Sequence, residues 1–112
     1  MKKFLIQYKI PLVELDEWMK KPKEETKDEE EKMMKMWRDW TDKNKENILE
    51  TYGTGKTRWL DQNGSKDFRN EIMLISIARG ESKEEVAEIF KNHPHLEILK
   101  AWIEISDLSE MD

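Results

Sequence analysis

The sequence predicts an α+β protein, and three features of the 112-residue chain support that class. Strand-like alternation of residues occurs at both ends of the chain and in a strongly apolar middle segment. A long helical pattern follows the first strand, and a serine-initiated helical pattern precedes the last. The order strand, helix, strand, strand, helix, strand is that of the ferredoxin-like fold, in which both helices cover one face of a four-stranded antiparallel sheet. We expect residues 1–112 to form this single domain.

The first strand is predicted at residues 3–10, where side chains alternate between two faces. One face carries Phe4, Ile6, Tyr8 and Ile10, and the other carries Leu5, Gln7 and Lys9. Pro11 ends the strand and suits the first position of a helix. The segment "PLVELDEWMK" is therefore interpreted as a short helix or an irregular turn.

A long helix is predicted at residues 27–48. Thr26 and Glu29 form a capping-box pattern, which supplies partners to the unpaired amides at a helix start. One stripe of this helix carries Met33, Met36, Trp37, Trp40 and Ile48. The two tryptophans could face a ligand, but a Met/Trp stripe at helical spacing is more typical of a core. Because the helix would be roughly 33 Å long, we expect fraying or a break near Asn44.

The second strand is predicted at residues 51–60, as an edge or bulged strand weakened by Gly53 and Gly55. The following "DQNGSKD" contains an Asn-Gly pair, which accepts positive backbone dihedrals easily and favours a turn. It leads into "NEIMLISIA", the strongest strand pattern of the sequence.

The second helix is predicted to begin after Ser82, which with Glu85 forms another capping box, and to end before Pro94. Its buried stripe comprises Val86, Ile89 and Phe90. The segment "EILKAWIEIS" then returns to strand alternation through Leu99, Ala101, Ile103 and Ile105.

The third predicted strand is apolar on both faces, since Met73, Ile75 and Ile77 alternate with other apolar residues. The last strand likewise sets Ile98 and Trp102 against its aliphatic face. A second apolar sheet surface needs a cover that one copy of the chain does not supply. We therefore predict a homodimer that closes into an α/β barrel. Its cavity would be lined partly by Leu5, Gln7, Met73, Ile75, Ile77 and Trp102.

Composition argues against several classes of protein. The net charge is −5, without the basic block that follows a nucleic-acid backbone, so no nucleic-acid partner is expected. The chain contains no cysteine, which excludes disulfides and thiolate chemistry. No apolar run approaches the length that spans a membrane. We predict no membrane partner and a cytoplasmic location.

A Gly55-Lys56-Thr57 triplet resembles the end of a phosphate-binding loop. Such a loop needs a glycine five residues before the triplet, and Glu50 occupies that position. The following residues read as a strand, so the helix start that would bind phosphate is missing too. We interpret the segment as a glycine-bent strand.

His93 and His95 are the two histidines, and His is a common metal ligand. Zinc sites normally take three or four protein ligands, and no spacing here completes such a set. We predict no metal and no cofactor. The favoured interpretation is structural: His93 lies at a helix C-terminus, and His95 packs or hydrogen-bonds at a strand entrance.

The block "ARGESKEEVAEIFKNHPHLEILKAWIEISDL" resembles the closing block of the YCII-related (DGPF-type) family. It combines a strand, a Ser82-initiated helix, the His93-Pro94-His95 triplet and a strand ending in Ile-Glu-Ile. The resemblance implies a dimeric α/β barrel of ferredoxin-like subunits. One branch of that family is implied to act on chlorinated aromatic rings through a His/Asp pair whose His follows the first strand. No histidine precedes His93 here, so that pair is not carried over.

The predicted function is that of a small homodimeric module whose cavity either binds a small apolar or aromatic molecule or only holds the dimer together. The candidate ligand-binding residues are Gln7, Arg58, Met73, Ile75 and Trp102. The alternative is a small-molecule enzyme of the same fold. In that alternative His95 acts as general acid/base and Arg58 as an anion clamp, because a histidine has a suitable unperturbed pKa.

Overall fold

A computed structural model describes residues 1–111 and shows one four-stranded antiparallel sheet with two helices packed on one face. The elements in chain order are β1 (Lys2–Lys9), α1 (Leu12–Met19), α2 (Lys23–Lys43), β2 (Ile48–Gly53), β3 (Thr57–Asp61), β4 (Gly64–Phe68), β5 (Ile72–Gly80), α3 (Lys83–Phe90), a 3-10 helix (Pro94–Glu97) and β6 (Trp102–Leu108). The sheet order is β2-β5-β1-β6. This order confirms the predicted ferredoxin-like fold.

The core lies between the sheet and the helices α2 and α3. Phe4, Ile6 and Tyr8 point into it from the central strand β1 and are completely or almost completely buried. They pack with Trp40 of α2 and with two residues of α3, Val86 and Phe90. The helix α3 comes so close to β5 that a Cβ atom on Gly80 would lie 2.8 Å from a methyl group of Val86.

The start of α3 follows the predicted capping box. The Glu85 amide donates to the Ser82 hydroxyl at 3.1 Å. The Glu85 carboxylate accepts from the Glu81 amide at 3.0 Å, one residue earlier than the pattern implies. The helix therefore begins where the sequence predicts, with the free Glu85 amide capped by Ser82.

The predicted start of α2 is wrong. The helix begins at Lys23, directly after Pro22, so Thr26 lies inside its first turns. The Thr26 hydroxyl donates to the Lys23 carbonyl at 3.4 Å and does not cap the helix. A proline next to the first turn loses no helical hydrogen bond and starts the helix earlier than the threonine signal. Its other end, at Asn44, agrees with the expected break.

Two predicted strands have different bounds. Residues 51–60 do not form one strand, because β2 ends at Gly53 and β3 belongs to a separate ribbon with β4. The Asn63-Gly64 turn joins the two strands of this ribbon, with a φ of 130° at Gly64. The last strand starts at Trp102 because residues 94–97 form a 3-10 helix, which leaves Leu99 exposed.

The molecule is flat and extended. Its principal extents are 44 × 44 × 20 Å, and its radius of gyration is 15.9 Å. A compact chain of this length would have a radius of gyration of about 13 Å. Two layers, one sheet and one set of helices, account for the thin dimension.

Candidate functional site

The sheet surface that faces away from the helices is the candidate site. Strand register places Leu5 opposite Ile77 and Gln7 opposite Ile75, all pointing away from the core. We call this surface the open face and define it by Leu5, Gln7, Lys9, Met73, Ile75, Ile77, Trp102 and Glu104. All eight residues are half-buried, and the core helices α2 and α3 pack on the other face of the sheet. The open face is thus a largely apolar surface with a few polar groups.

Three of these residues form a polar corner at one end of the open face: Lys9, Trp102 and Glu104. The Lys9 ammonium lies 3.0 Å from the Glu104 carboxylate, and the Trp102 indole N–H donates to the same carboxylate at 2.8 Å. These hydrogen bonds, the indole first and Lys9 second, lower the pKa of Glu104. The Lys9 ammonium also lies 6.0 Å from the centre of the Trp102 ring. The corner therefore holds a carboxylate in its charged form.

The structure brings four of the five predicted ligand residues together. Gln7, Met73, Ile75 and Trp102 all belong to the open face. Arg58 does not, because it lies on the β3–β4 ribbon, where its guanidinium is 2.8 Å from the Asp67 carboxylate. The sequence pattern predicts that residues 51–60 form one strand of the sheet, whereas in the structure Arg58 belongs to the separate β3–β4 ribbon.

His95 lies on the other side of the sheet, directly behind the polar corner. Its side chain is 1% exposed, and its Nε2 shares a hydrogen bond of 2.8 Å with the Lys9 carbonyl. Burial lowers the pKa of His95, and backbone hydrogen bonds with Lys9 and Trp102 partly oppose that shift. The ring is thus held between the backbones of two residues whose side chains form the corner. It can position the corner, and it does not point into the open face.

His93 is packed in an aromatic cluster of the core. Its ring centre lies 4.3 Å from that of Trp37, 4.4 Å from that of Trp40 and 5.0 Å from that of Tyr8. Burial lowers the pKa of His93 to about 3, so the ring is neutral at physiological pH. Its Nδ1 accepts from the His95 amide at 3.0 Å, whereas its buried Nε2 has no hydrogen-bond partner within residues 1–111.

The same cluster contains the two tryptophans of the predicted helical stripe. Trp40 is buried in the core and Trp37 packs against it, as the helical stripe predicts. In the part of the chain that the structure describes, no three His, Asp or Glu side chains are grouped closely enough to hold a metal ion.

A cleft that sequence reasoning missed lies on the helix side. It has a volume of about 440 Å³, is wide open to solvent, and is lined by Met36, Asp39, Trp40, Lys43, Asn44, Ile89, Asn92 and Pro94. The lining residues come from α2, from α3 and from the residues after α3, so no local sequence pattern could group them. Its polar groups have mixed charge and do not converge on one point.

No protein-family model and no curated protein matches the chain. A solved structure of 5-chloro-2-hydroxyhydroquinone dehydrochlorinase from Burkholderia phenoliruptrix AC1100, in complex with 2,5-dihydroxybenzoquinone, is similar at 15% sequence identity and a TM-score of 0.46. The match covers 93% of this chain and 91% of that chain. Separately, no helix within residues 1–111 is both long and apolar enough to cross a membrane.

Proposed function

We propose that the chain forms a homodimer through its open face and binds a small aromatic or apolar molecule between the two sheets. The observation that carries this proposal is the half-buried apolar surface formed by Leu5, Met73, Ile75 and Ile77 on a sheet whose core helices, α2 and α3, pack on the opposite side. An antiparallel sheet with one free face normally presents polar side chains to water. An apolar free face therefore favours a cover, and an identical sheet supplies one of matching shape.

The thin shape of the molecule supports the same arrangement. With an extent of 20 Å across sheet and helices, one copy has the thickness of two packed layers. Two sheets pack face to face at about 10 Å, which leaves an inner space filled by side chains or a small ligand. The dimer would have four layers, helix, sheet, sheet and helix.

Gln7 gives the proposed chamber a preference for ligands that carry a polar group. It lies on the central strand β1, between Ile75 on one neighbouring strand and Glu104 on the other. Dimerisation would bury its amide, and a buried amide needs hydrogen-bond partners. An aromatic ring would pack on the aliphatic residues, while a hydroxyl or carboxyl group would pair with Gln7 and with the polar corner.

In this proposal the chain is a member of the dimeric α/β-barrel superfamily and, within it, of the YCII-related family. The block from Ser82 through the His93-Pro94-His95 triplet supports that assignment. A cytoplasmic location is part of the same proposal. The role of His95 as general acid/base stays a prediction, whereas its contact with the Lys9 carbonyl supports a positioning role for the polar corner.

The ligand-binding part is tested by a thermal-shift screen of phenols and aromatic acids. A ligand that binds only the folded protein raises the melting temperature. Gln7→Leu should keep the dimer, as measured by light scattering, and abolish the shift. Asn92→Leu, in the cleft between α2 and α3, is the matched control and should leave the shift unchanged. If Asn92→Leu abolishes the shift and Gln7→Leu does not, the ligand binds in that cleft and the chamber proposal is wrong.

A further inference from the structure

The ribbon formed by β3 and β4 projects from the sheet as an arm, which we define as residues 54–69. It prolongs the hairpin of β2 and β5 beyond the end of the sheet. Every residue from 58 to 69 is exposed. A two-stranded ribbon without a third strand or a helix to pack on is only marginally stable in water. An exposed arm of this kind therefore needs another source of order.

The base of the arm is fixed by side-chain hydrogen bonds. The Thr54 hydroxyl donates to the Ile72 carbonyl at 2.8 Å. The Asn70 amide group donates to the Thr57 hydroxyl at 3.0 Å and accepts from the Ile72 amide at 3.0 Å. Arg69 adds an ion pair of 2.8 Å with Asp16 of α1. These bonds define the direction in which the arm leaves the sheet.

The arm exposes three large apolar side chains, Trp59, Leu60 and Phe68. Leu60 is 78% exposed. The Trp59 and Phe68 rings lie 5.0 Å apart, and the Trp59 indole N–H donates to Asp61 at 3.0 Å, so the aromatic pair is held in place. A preordered aromatic pair loses little conformational entropy when it docks on another surface. Aromatic residues are also enriched in the cores of protein interfaces.

The charge of the arm is opposite to that of the rest of the chain. Residues 54–69 contain four basic and two acidic side chains, a net charge of +2. The whole chain has 20 basic and 25 acidic residues, so the remainder carries 16 against 23, a net charge of −7. A basic arm is electrostatically complementary to an acidic body. A second copy of this chain supplies such a body.

The position of the arm connects it with the open face. Strand β5 carries part of the open face, and the arm continues β5 together with its hairpin partner β2. Four strands at about 4.8 Å spacing and seven residues at about 3.4 Å give the sheet a flat footprint of roughly 450 Å². A standard interface buries about 800 Å² per partner. Protruding side chains make the accessible area of the sheet larger than this flat footprint. Contact by the arm would bring the buried area closer to the standard size.

We infer that the arm docks on the acidic body of a second copy and clamps the dimer through Trp59 and Phe68, which share one face of the ribbon. This inference rests on the proposed dimer. It adds that the interface extends beyond the sheet, and that each copy contributes one arm to its partner, as two-fold symmetry requires.

The experiment compares dimer dissociation constants by sedimentation velocity over a dilution series. The Trp59→Ser, Phe68→Ser double variant should weaken the dimer at least 10-fold, whereas Leu60→Ser should weaken it less, because Leu60 lies on the opposite face of the ribbon. Both variants should fold normally by circular dichroism, since the arm residues are exposed. Met34→Ser is the matched control, because Met34 is 60% exposed on α2, and it should leave the dissociation constant unchanged.

A second measurement locates the contact. The chain has no cysteine, so Leu60→Cys creates one labelling site for a benzophenone maleimide. Unlabelled and isotopically labelled chains are mixed and then irradiated with ultraviolet light. Crosslinks between an unlabelled and a labelled chain should form, and they should involve residues outside the arm. Unchanged dissociation constants for the arm variants, with crosslinks only within one chain, would overturn the inference about the arm alone. A wild-type protein that stays monomeric would overturn the proposed dimer as well.

Discussion

The two faces of the sheet differ in what covers them, although the same strands build both. On β1, Ile6 is 0% exposed beneath the helices, whereas its neighbours Leu5 and Gln7 are half-buried on the open face. The strands carry apolar residues on both faces of the sheet, but α2 and α3 pack on only one of these faces. The covered face therefore accounts for the stability of one copy, and the open face is available for a partner.

We expect the largest change in the free energy of unfolding when an isoleucine of the covered face is truncated, and a much smaller change for an isoleucine of the open face. Ile6→Ala should lower the free energy of unfolding by about 2–5 kcal/mol, because it leaves a cavity in the core. Ile77→Ala on the open face should cost about 1 kcal/mol or less in the dissociated chain. Urea unfolding at a concentration at which the protein is monomeric measures both. Equal losses would show that the two faces do not differ in this way.

The second prediction uses the pH dependence of the covered face. The pKa of His93 is about 3 in the folded protein and 6.5 in the unfolded chain, so between these values only the unfolded chain binds the proton. Stability should therefore fall as the pH decreases from 6.5 toward 3, by at most about 1.4 kcal/mol per pH unit from this group. Burial of His95 acts in the same direction.

The variant His93→Phe isolates this contribution. It keeps an aromatic ring in the cluster and removes the proton-binding site. Urea midpoints at pH 7.5 and pH 5 should differ less for His93→Phe than for the wild type. The same pH dependence in both proteins would mean that His93 is not buried in its neutral form.

A smaller effect compares polar groups on the two faces. The Tyr8 hydroxyl shares a hydrogen bond of 2.8 Å with Ser76, which in turn bonds Thr51 at 2.8 Å. Tyr8→Phe should cost about 1 kcal/mol, the usual value for such a bond. Gln7→Leu should cost nothing in the dissociated chain, because the open face leaves that amide in water. Chemical denaturation of both variants checks the difference.

The smallest effect concerns the polar corner. Glu104→Gln removes the charge that Lys9 and the Trp102 indole hold in place. Because the pKa of Glu104 is lowered in the folded state, its contribution is present above the ordinary carboxyl range and is lost as the pH falls. We expect a barely measurable change in the dissociated chain and a larger one in the dimer. The free energies of unfolding of the dissociated chain and of the dimer, each measured over a range of salt concentrations, distinguish these two effects.

Much of the fold could be predicted from local patterns. The alternation around Ile6, the Ser82–Glu85 box and the apolar run of β5 each match one element. The arm is not predicted, because an Asn63-Gly64 pair favours a hairpin turn and does not indicate whether that hairpin lies within the sheet or beyond its end. The predicted start of α2 is wrong because both Pro22 and Thr26 are residues that favour a helix start. The sequence alone does not show which of them begins the helix.

The candidate site could be predicted only in part. Alternation along β5 placed Met73 and Ile75 on one face, and the structure agrees. The sequence predicts that His95 packs or hydrogen-bonds at a strand entrance, but it does not predict the partner, because the 3-10 helix turns the ring toward the Lys9 carbonyl. The separation of Arg58 from the open face depends on the arm, which is a tertiary feature.

Sedimentation equilibrium of the wild-type protein and of Ile75→Asp tests the central claim most directly. The account predicts that the wild type has twice the chain mass of 13.5 kDa. It also predicts that Ile75→Asp, which places a charge in the middle of the open face, has the mass of one chain while staying folded. A wild-type protein that remains at the mass of one chain at the highest soluble concentration would contradict the account.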